Sequence, residues 1–286
     1  MQRVAWPKPQ FKGATSIRFA IANQDVPFTQ NYVPQRYAFK SLGYFPNFAF
    51  QYIASRKVNT VGSKNKLKRF KENESFGNVI QPSRDQLIQG QFGIKGHWAN
   101  QLFKNDHPIV LELGCGKGEY TVALANRYPE KNFIGVDIKG ARFWRGAKTA
   151  IENGISNAAF LRIQIELIEH AFAQNEVDEI WITFPDPQIK YKRTKHRMTN
   201  SFFLERYKKI LKPDGIIHLK TDSEFMHGYT LGLLHGEGHE VLYANHDIYR
   251  QHGSSDEVTG IQTHYESLYL EKNKPITYIR FKIKQS

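Results

Sequence analysis

Features that mark a secreted or membrane-bound chain are scarce here. The 286 residues include one cysteine, Cys115, which excludes an internal disulfide framework and a cysteine-rich zinc site and fits a reducing cytoplasm. No run of about 18 apolar residues occurs, so no membrane span is expected. The N-terminus has no compact apolar core of a secretory signal. His196, His218 and His227 are scattered, without metal-ligand spacing, so no metal site is expected and these residues read as packing or partner-facing groups. Acid is nearly absent from one end: residues 1–60 hold eight Lys and Arg against a single carboxylate, Asp25. That segment also lacks a sustained apolar period of 2 or 3.6, as in "FTQNYVPQRYAFKSLGYFPNF". The expectation for residues 1–60 is a poorly ordered extension or a mis-assigned start, and for residues 61–286 one catalytic domain with a basic lead-in.

What is present is positive charge and an alternating pattern. Forty Lys and Arg against 27 Asp and Glu, net +13, point to a polyanionic partner, because basic surfaces collect phosphate backbones and release their counterions. The lead-in "SKNKLKRFKENESF" reads as a solvated charged tail. Beyond it, strands are expected at 108–114, 132–138, 158–163, 177–184, 215–221, 239–245 and 276–283. Helices are expected at 118–128, 140–154, 165–173, 201–211 and 224–235, with a turn at "KPDG" before the 215–221 strand. Strands alternating with helices imply an α/β fold with a doubly wound, mostly parallel sheet.

In such sheets ligands bind at the carboxyl ends of the strands, where strand order reverses. The first expected strand ends in "ELGCGKGE": Glu112, then Gly114, Gly116 and Gly118, with Glu119 opening the next helix. Glycines at this spacing let the backbone approach a ligand without Cβ obstruction. Asp137 closes the second strand, where a carboxylate can accept from both hydroxyls of a ribose. A nucleoside-bearing cofactor is indicated. A dinucleotide is the alternative, but the two acids at the loop would repel a pyrophosphate and would welcome the sulfonium and ammonium of S-adenosylmethionine. Cys115 reads as a small loop filler rather than a nucleophile.

The fourth strand runs into "FPDP", and Pro185 and Pro187 restrict the backbone on both sides of Asp186. A strand-ending turn is the bland reading. The functional reading is that Asp186 orients an acceptor base whose lone pair, such as guanine N7, attacks without prior loss of a proton. Basic residues from Lys190 to Arg197, then Arg206, Lys208 and Lys209, would hold surrounding phosphates.

The ordered motifs "LELGCGKGEY", "FIGVDIKGARFWRGAK", "WITFPDPQIKYKRTKHR", "LKPDGIIHLKTDSEFMHGY" and "THYESLYLEKNKPITYIRFK" resemble those of the bacterial single-chain tRNA (guanine-N7)-methyltransferases, from about residue 64 to 284. The resemblance implies a class I (Rossmann-like) methyltransferase sheet with an antiparallel last strand. It also implies methyl transfer from S-adenosylmethionine to N7 of a variable-loop guanine in tRNA. By that resemblance Glu112, Gly114, Gly116, Asp137 and Gln164 bind the cofactor, and Asp186 is the active-site acid that also lies by the cofactor. Lys190, Asp222 and the run Thr263, His264, Tyr265 and Glu266 similarly match substrate-binding positions. Gln188 departs from the tryptophan usual after "FPDP". A cytoplasmic monomer or weak homodimer is expected. A binding-only RNA subunit, or a methyltransferase acting on a small molecule or protein, are the competing readings.

Overall fold

The computed structural model describes residues 61–250 and 256–285; the expectation for residues 1–60 lies outside the described residues. Within them one sheet is built from β1 (Val79–Ile80), β2 (Ile109–Leu113), β3 (Asn132–Val136), β4 (Ala158–Leu161), β5 (Val177–Thr183), β6 (Leu211–Thr221), β7 (Glu240–Asn245) and β8 (Thr277–Lys282). Helices α1 (Val61–Ser75), α2 (Arg84–Ile88), α3 (Glu119–Arg127), α4 (Gly140–Glu152) and α5 (Ile168–Ala171) accompany its first half. Helices α6 (Ser201–Ile210), α7 (Glu224–Gly236), α8 (Asp256–Thr259) and α9 (His264–Leu270) accompany its second. The strand order is β1-β4-β3-β2-β5-β6-β8-β7. All pairings from β1 to β6 are parallel, and β8 runs antiparallel to both neighbours. This is the doubly wound α/β sheet with an antiparallel last strand expected from the motifs. Among the described residues no helix is long and apolar enough to cross a membrane.

The core follows from strand periodicity. All five residues of β2 are buried, as a strand covered on both faces requires. Ile109, Leu111 and Leu113 pack with Ile180, Ile182 and Tyr207 on one face. Val110 packs with Tyr120, Leu124 and Trp181 on the other. Since side chains alternate, Glu112 shares the Val110 face and looks toward α3. Strand order reverses between β2 and β5, so the crevice beyond their carboxyl ends is where the topology places a ligand.

Three local expectations are corrected. The charged lead-in is no solvated tail but α1, seated on α4 by Asn73, fully buried, whose side-chain amide donates to Gly140 O at 2.9 Å. Phe70 and Asn73, three apart, share one helical face, while Lys66 and Lys68 on the helix are exposed. "KPDG" does not precede β6; it lies within it, as a bulge where Val177 pairs Leu211 and Glu179 pairs Ile216. One β5 residue thus opposes four on β6, and Gly215 accepts the crowding, because a Cβ there would lie 2.7 Å from the Leu211 side chain. The helix expected at 165–173 is shorter, a 3-10 turn at Ile165–Leu167 followed by α5.

Candidate active site

The glycine loop leaves β2 with Gly114, Gly116 and Gly118 at φ of +75°, +57° and +74°, the left-handed region that L side chains disfavour. Gly118 has a second constraint, since a Cβ there would collide with the Phe160 ring. Asp137, at the end of β3, fastens the loop: its Oδ2 accepts from Gly116 N at 3.1 Å and its Oδ1 from Lys139 N at 2.7 Å. Beside it opens a cleft of about 280 Å³ that brings together Gly114, Asp137 and Gln164 with the apolar Ile138, Ile163, Met198 and Phe203. His196, from the basic turn after "FPDP", lines the same cleft. Apolar side chains that can face a flat base, a carboxylate and a side-chain amide form a donor and acceptor set that fits adenosine.

Glu112 lies deeper, only 3% exposed. Its Oε2 accepts from Thr121 N at 2.9 Å and from the Thr121 hydroxyl, and its Oε1 from the Thr183 hydroxyl at 2.7 Å. The carboxylate therefore ties the ends of β2 and β5 to the first turn of α3. Burial pushes its pKa up to about 7; the Thr121 and Thr183 bonds oppose this and the nearby Asp137 charge adds to it. Burial likewise holds the Cys115 thiol far above its ordinary value, which suits a filler and not a nucleophile.

Beyond Thr183 the chain enters "FPDP". Phe184 and Gln188 have φ of +48° and +47°, unfavourable for residues with a Cβ by roughly 1–2 kcal/mol each. Such strain on either side of the Pro185–Asp186–Pro187 unit marks a backbone set for a purpose. Asp186 is exposed at this corner, and its Oδ1 accepts from Gln188 N at 3.1 Å. Exposed Lys190 follows, capping a 3-10 turn at Tyr191–His196 on which Lys192, Arg193 and Lys195 are exposed.

Not all of the expected phosphate cations are available. Arg197 is 6% exposed, stacked over Phe225 and Tyr229 at 4.8 and 4.4 Å, and it donates to Gln188 O at 3.2 Å. It braces the corner from inside, because a guanidinium can be buried when its face is stacked and its edge bonded. Arg206 and Lys209 pair with Glu169 at 3.2 and 2.6 Å.

The "THYE" segment packs against the glycine loop and the start of α3. Thr263 caps α9, and Glu266 returns the bond in a capping box. His264 N donates to Glu119 Oε2 at 3.0 Å, and Lys117 lies 5.9 Å from the Tyr265 ring. Both contacts join the start of α9 to the glycine loop. One turn on, Tyr269 stacks on Phe184 at 6.2 Å and bonds Asp222, the acid after β6, whose charge raises the phenol pKa after burial. His264 and Tyr265 are exposed, whereas Glu266 is fully buried against Lys220 at 2.7 Å.

A family model described as "Putative methyltransferase" matches residues 106–279. A tRNA (guanine-N(7)-)-methyltransferase from Christiangramia forsetii is 75% identical over 224 residues, which is 78% of this chain and 100% of that protein. The chain belongs to the tRNA (guanine-N7)-methyltransferase family. A second relative of that name, from Bacteroides thetaiotaomicron, is 49% identical over 222 residues, 78% of this chain and 87% of its own length. Among solved structures, the 16S rRNA methyltransferase KamB is 14% identical with a TM-score of 0.49, covering 65% of this chain and 92% of its own.

For a member of this family, several side chains at the site escaped the sequence reading. Thr121 and Thr183 hold Glu112, and Met198 faces Gly114, where a Cβ would lie 3.8 Å from its sulfur. Lys220 anchors the α9 segment, and Tyr269 links Phe184 to Asp222. Thr183 lies 71 residues from Glu112, and Lys220 lies 38 or more from its partners Val258, Ile261 and Glu266, beyond the reach of any local period. His218 resolves to packing: it is buried, stacked on Trp181 at 4.0 Å and paired with Glu179 at 3.1 Å.

Proposed function

We infer that this chain transfers a methyl group from S-adenosylmethionine to N7 of a guanine in tRNA, within a domain spanning residues 61–286. What supports the mechanism is that the Glu112–Thr183 bond ties the strand before the glycine loop to the strand that leads into the Asp186 corner, and the His264–Glu119 bond ties the start of α9 to the helix after that loop. When bound, S-adenosylmethionine supplies an electrophilic methyl carbon. Asp137 and Gln164 hold the nucleoside in the cleft, the glycine loop with Gly114 and Gly116 lets the backbone approach it, and Glu112 supplies negative charge beneath the loop. Asp186 fixes the guanine edge and offsets the positive charge that appears on the purine, while N7, an acceptor with a free lone pair, needs no base to remove a proton. Lys190, Asp222, Thr263, His264 and Tyr265 are proposed to contact the tRNA. We assign the action to the cytoplasm on the single cysteine. Incubating the protein with labelled methyl donor and unmodified tRNA, then separating nucleosides, tests the reading; the absence of 7-methylguanosine refutes it.

Glu112 makes the cofactor step depend on pH. A cationic cofactor selects the ionised carboxylate, so affinity is expected to fall about tenfold per pH unit below about pH 7, where the group binds a proton. Because the folded pKa exceeds the unfolded value, its contribution to stability is complete below about pH 4.5 and is lost as pH rises through 7, a difference of about 3 kcal/mol. Glu112→Gln should therefore raise the melting temperature at pH 8 while weakening cofactor binding. Titration calorimetry between pH 5.5 and 8 checks the first expectation, and a pH-independent affinity would remove Glu112 from the cofactor site.

For Lys190, exposed beside Asp186, the Lys190→Gln variant is expected to weaken tRNA binding and lower the slope of log affinity against log salt by about 1. An unchanged slope would take it out of the phosphate contacts.

A further inference from the structure

A groove of about 670 Å³ does not lie over the crevice but beside it. Its floor is Phe70, Ile138 and Ala141, and its rim carries Lys66 and Arg69 from α1, Lys139 and Arg142 at the start of α4, and Arg162 just past β4. Among the described residues no carboxylate lines it. Ile138 lines both this groove and the Asp137–Gln164 cleft, so the two are adjacent.

The cations are presented rather than merely scattered. Arg162 stacks over Phe70 at 4.9 Å with its Nε donating to Ile138 O at 3.3 Å, and Arg69 stacks over Trp144 at 4.9 Å. Stacking fixes a guanidinium plane while leaving most of its N–H edge for an anion. Lys66, Lys139 and Arg142 make no ion pair among the described residues. Uncompensated positive charge of this density is unfavourable in the empty groove and becomes favourable when phosphates displace small counterions. A single phosphate would leave most of the volume unfilled, so the dimensions suit several consecutive phosphates on one strand.

We propose that this groove between α1 and the start of α4 is a second phosphate-backbone site for the tRNA, flanking the cofactor cleft on the side away from the Lys190 turn. The proposal rests on the reading of the substrate as tRNA. With Lys190, it gives the RNA two separate footholds around the acceptor guanine, which fixes its orientation as one patch cannot.

The test uses the full chain with Lys66→Gln and Arg142→Gln combined, since neither side chain bonds another described residue and folding should be unaffected. An Arg162→Gln and Arg162→Lys pair forms a second arm, in which the lysine keeps the charge. Binding of unmodified tRNA is measured across a salt series, with melting temperature and S-adenosylhomocysteine affinity as controls. The double variant is expected to lose about tenfold in affinity near 0.1 M salt and to lower the salt slope by about 1.5–2, with KM for tRNA raised and kcat retained. Arg162→Lys should keep most of the slope that Arg162→Gln loses. A wild-type slope in the double variant overturns the groove, as does lost binding to heparin with unchanged binding to tRNA. The binding readout does not require turnover, so a wild-type protein that forms no 7-methylguanosine would refute the reading of the reaction and leave this test intact.

Discussion

Asp186→Ala is expected to lower single-turnover methyl transfer to tRNA by about 100-fold or more, with a much smaller change in cofactor affinity. Guanine N7 already carries its lone pair, so a base for proton removal has no task here; the protein's contribution is alignment and charge. Asp186 is set for alignment by covalent means. Pro185 and Pro187 flank it, Phe184 and Gln188 take left-handed φ values on either side, and Gln188 N occupies Oδ1. Among the described residues Oδ2 has no partner, which leaves one acceptor for a base edge. Asp186→Asn keeps the shape and loses the charge, so its turnover should fall between alanine and wild type. Rapid-quench rates with saturating cofactor and unmodified tRNA check both values. Near-normal turnover for Asp186→Ala would refute the assignment.

The same corner explains how glutamine can occupy a position where the resemblance leads one to expect tryptophan. Gln188 works through its main chain: its amide holds Asp186, and its carbonyl accepts from Arg197. Arg197 is in turn clamped by Phe225 and Tyr229 on α7. The carboxylate's position is thereby referred to a helix on the far side of β6, and the side chain of Gln188 is spared from that task.

What was legible beforehand was whatever is written locally. The β2 run is uniformly apolar except for Glu112, and the placement of Glu112, the glycines, Asp137 and "FPDP" at strand ends follows from alternation and from the switch point alone. The illegible part consists of partners distant in sequence. A charge run such as that of α1 hides its fold signal in a few residues on the face that meets α4: Asn73 bonds Gly140, and Arg69 and Glu72 meet Trp144. In the same way, nothing local separates Arg197, enclosed by two aromatic rings, from the exposed Lys195 two residues earlier. The turn residues of "KPDG" predict a change of direction correctly, but not that β6 resumes its pairing across it.

The largest effect on stability is expected from breaking the pair Lys220–Glu266. Both residues are fully buried, and the Lys220 ammonium donates to Glu266 at 2.7 Å, to Ile261 O at 3.0 Å and to Val258 O, above the Tyr120 ring. Burial lowers the Lys220 pKa, and the Glu266 carboxylate opposes the shift. Tyr249 closes the network by donating to Glu266 Oε1 at 2.8 Å. Glu266→Ala strands an ammonium without water or counter-charge and should cost about 3–5 kcal/mol, roughly 10 °C in melting temperature for a domain of this size. The loss should appear first in the segment from Val258 to Leu270, which this network pins to β6 and α3. Replacing both members, Lys220→Met with Glu266→Leu, removes the desolvation cost together with the attraction and should recover most of the stability. Thermal unfolding of the two variants decides this, and a cost below about 1 kcal/mol for Glu266→Ala would deny the pair its anchoring role. The double variant also addresses the substrate role that family resemblance gives Glu266. If its carboxylate only anchors α9, tRNA methylation should return along with the fold; a stable double variant that still fails to bind tRNA would place that carboxylate in contact with RNA after local opening of the segment.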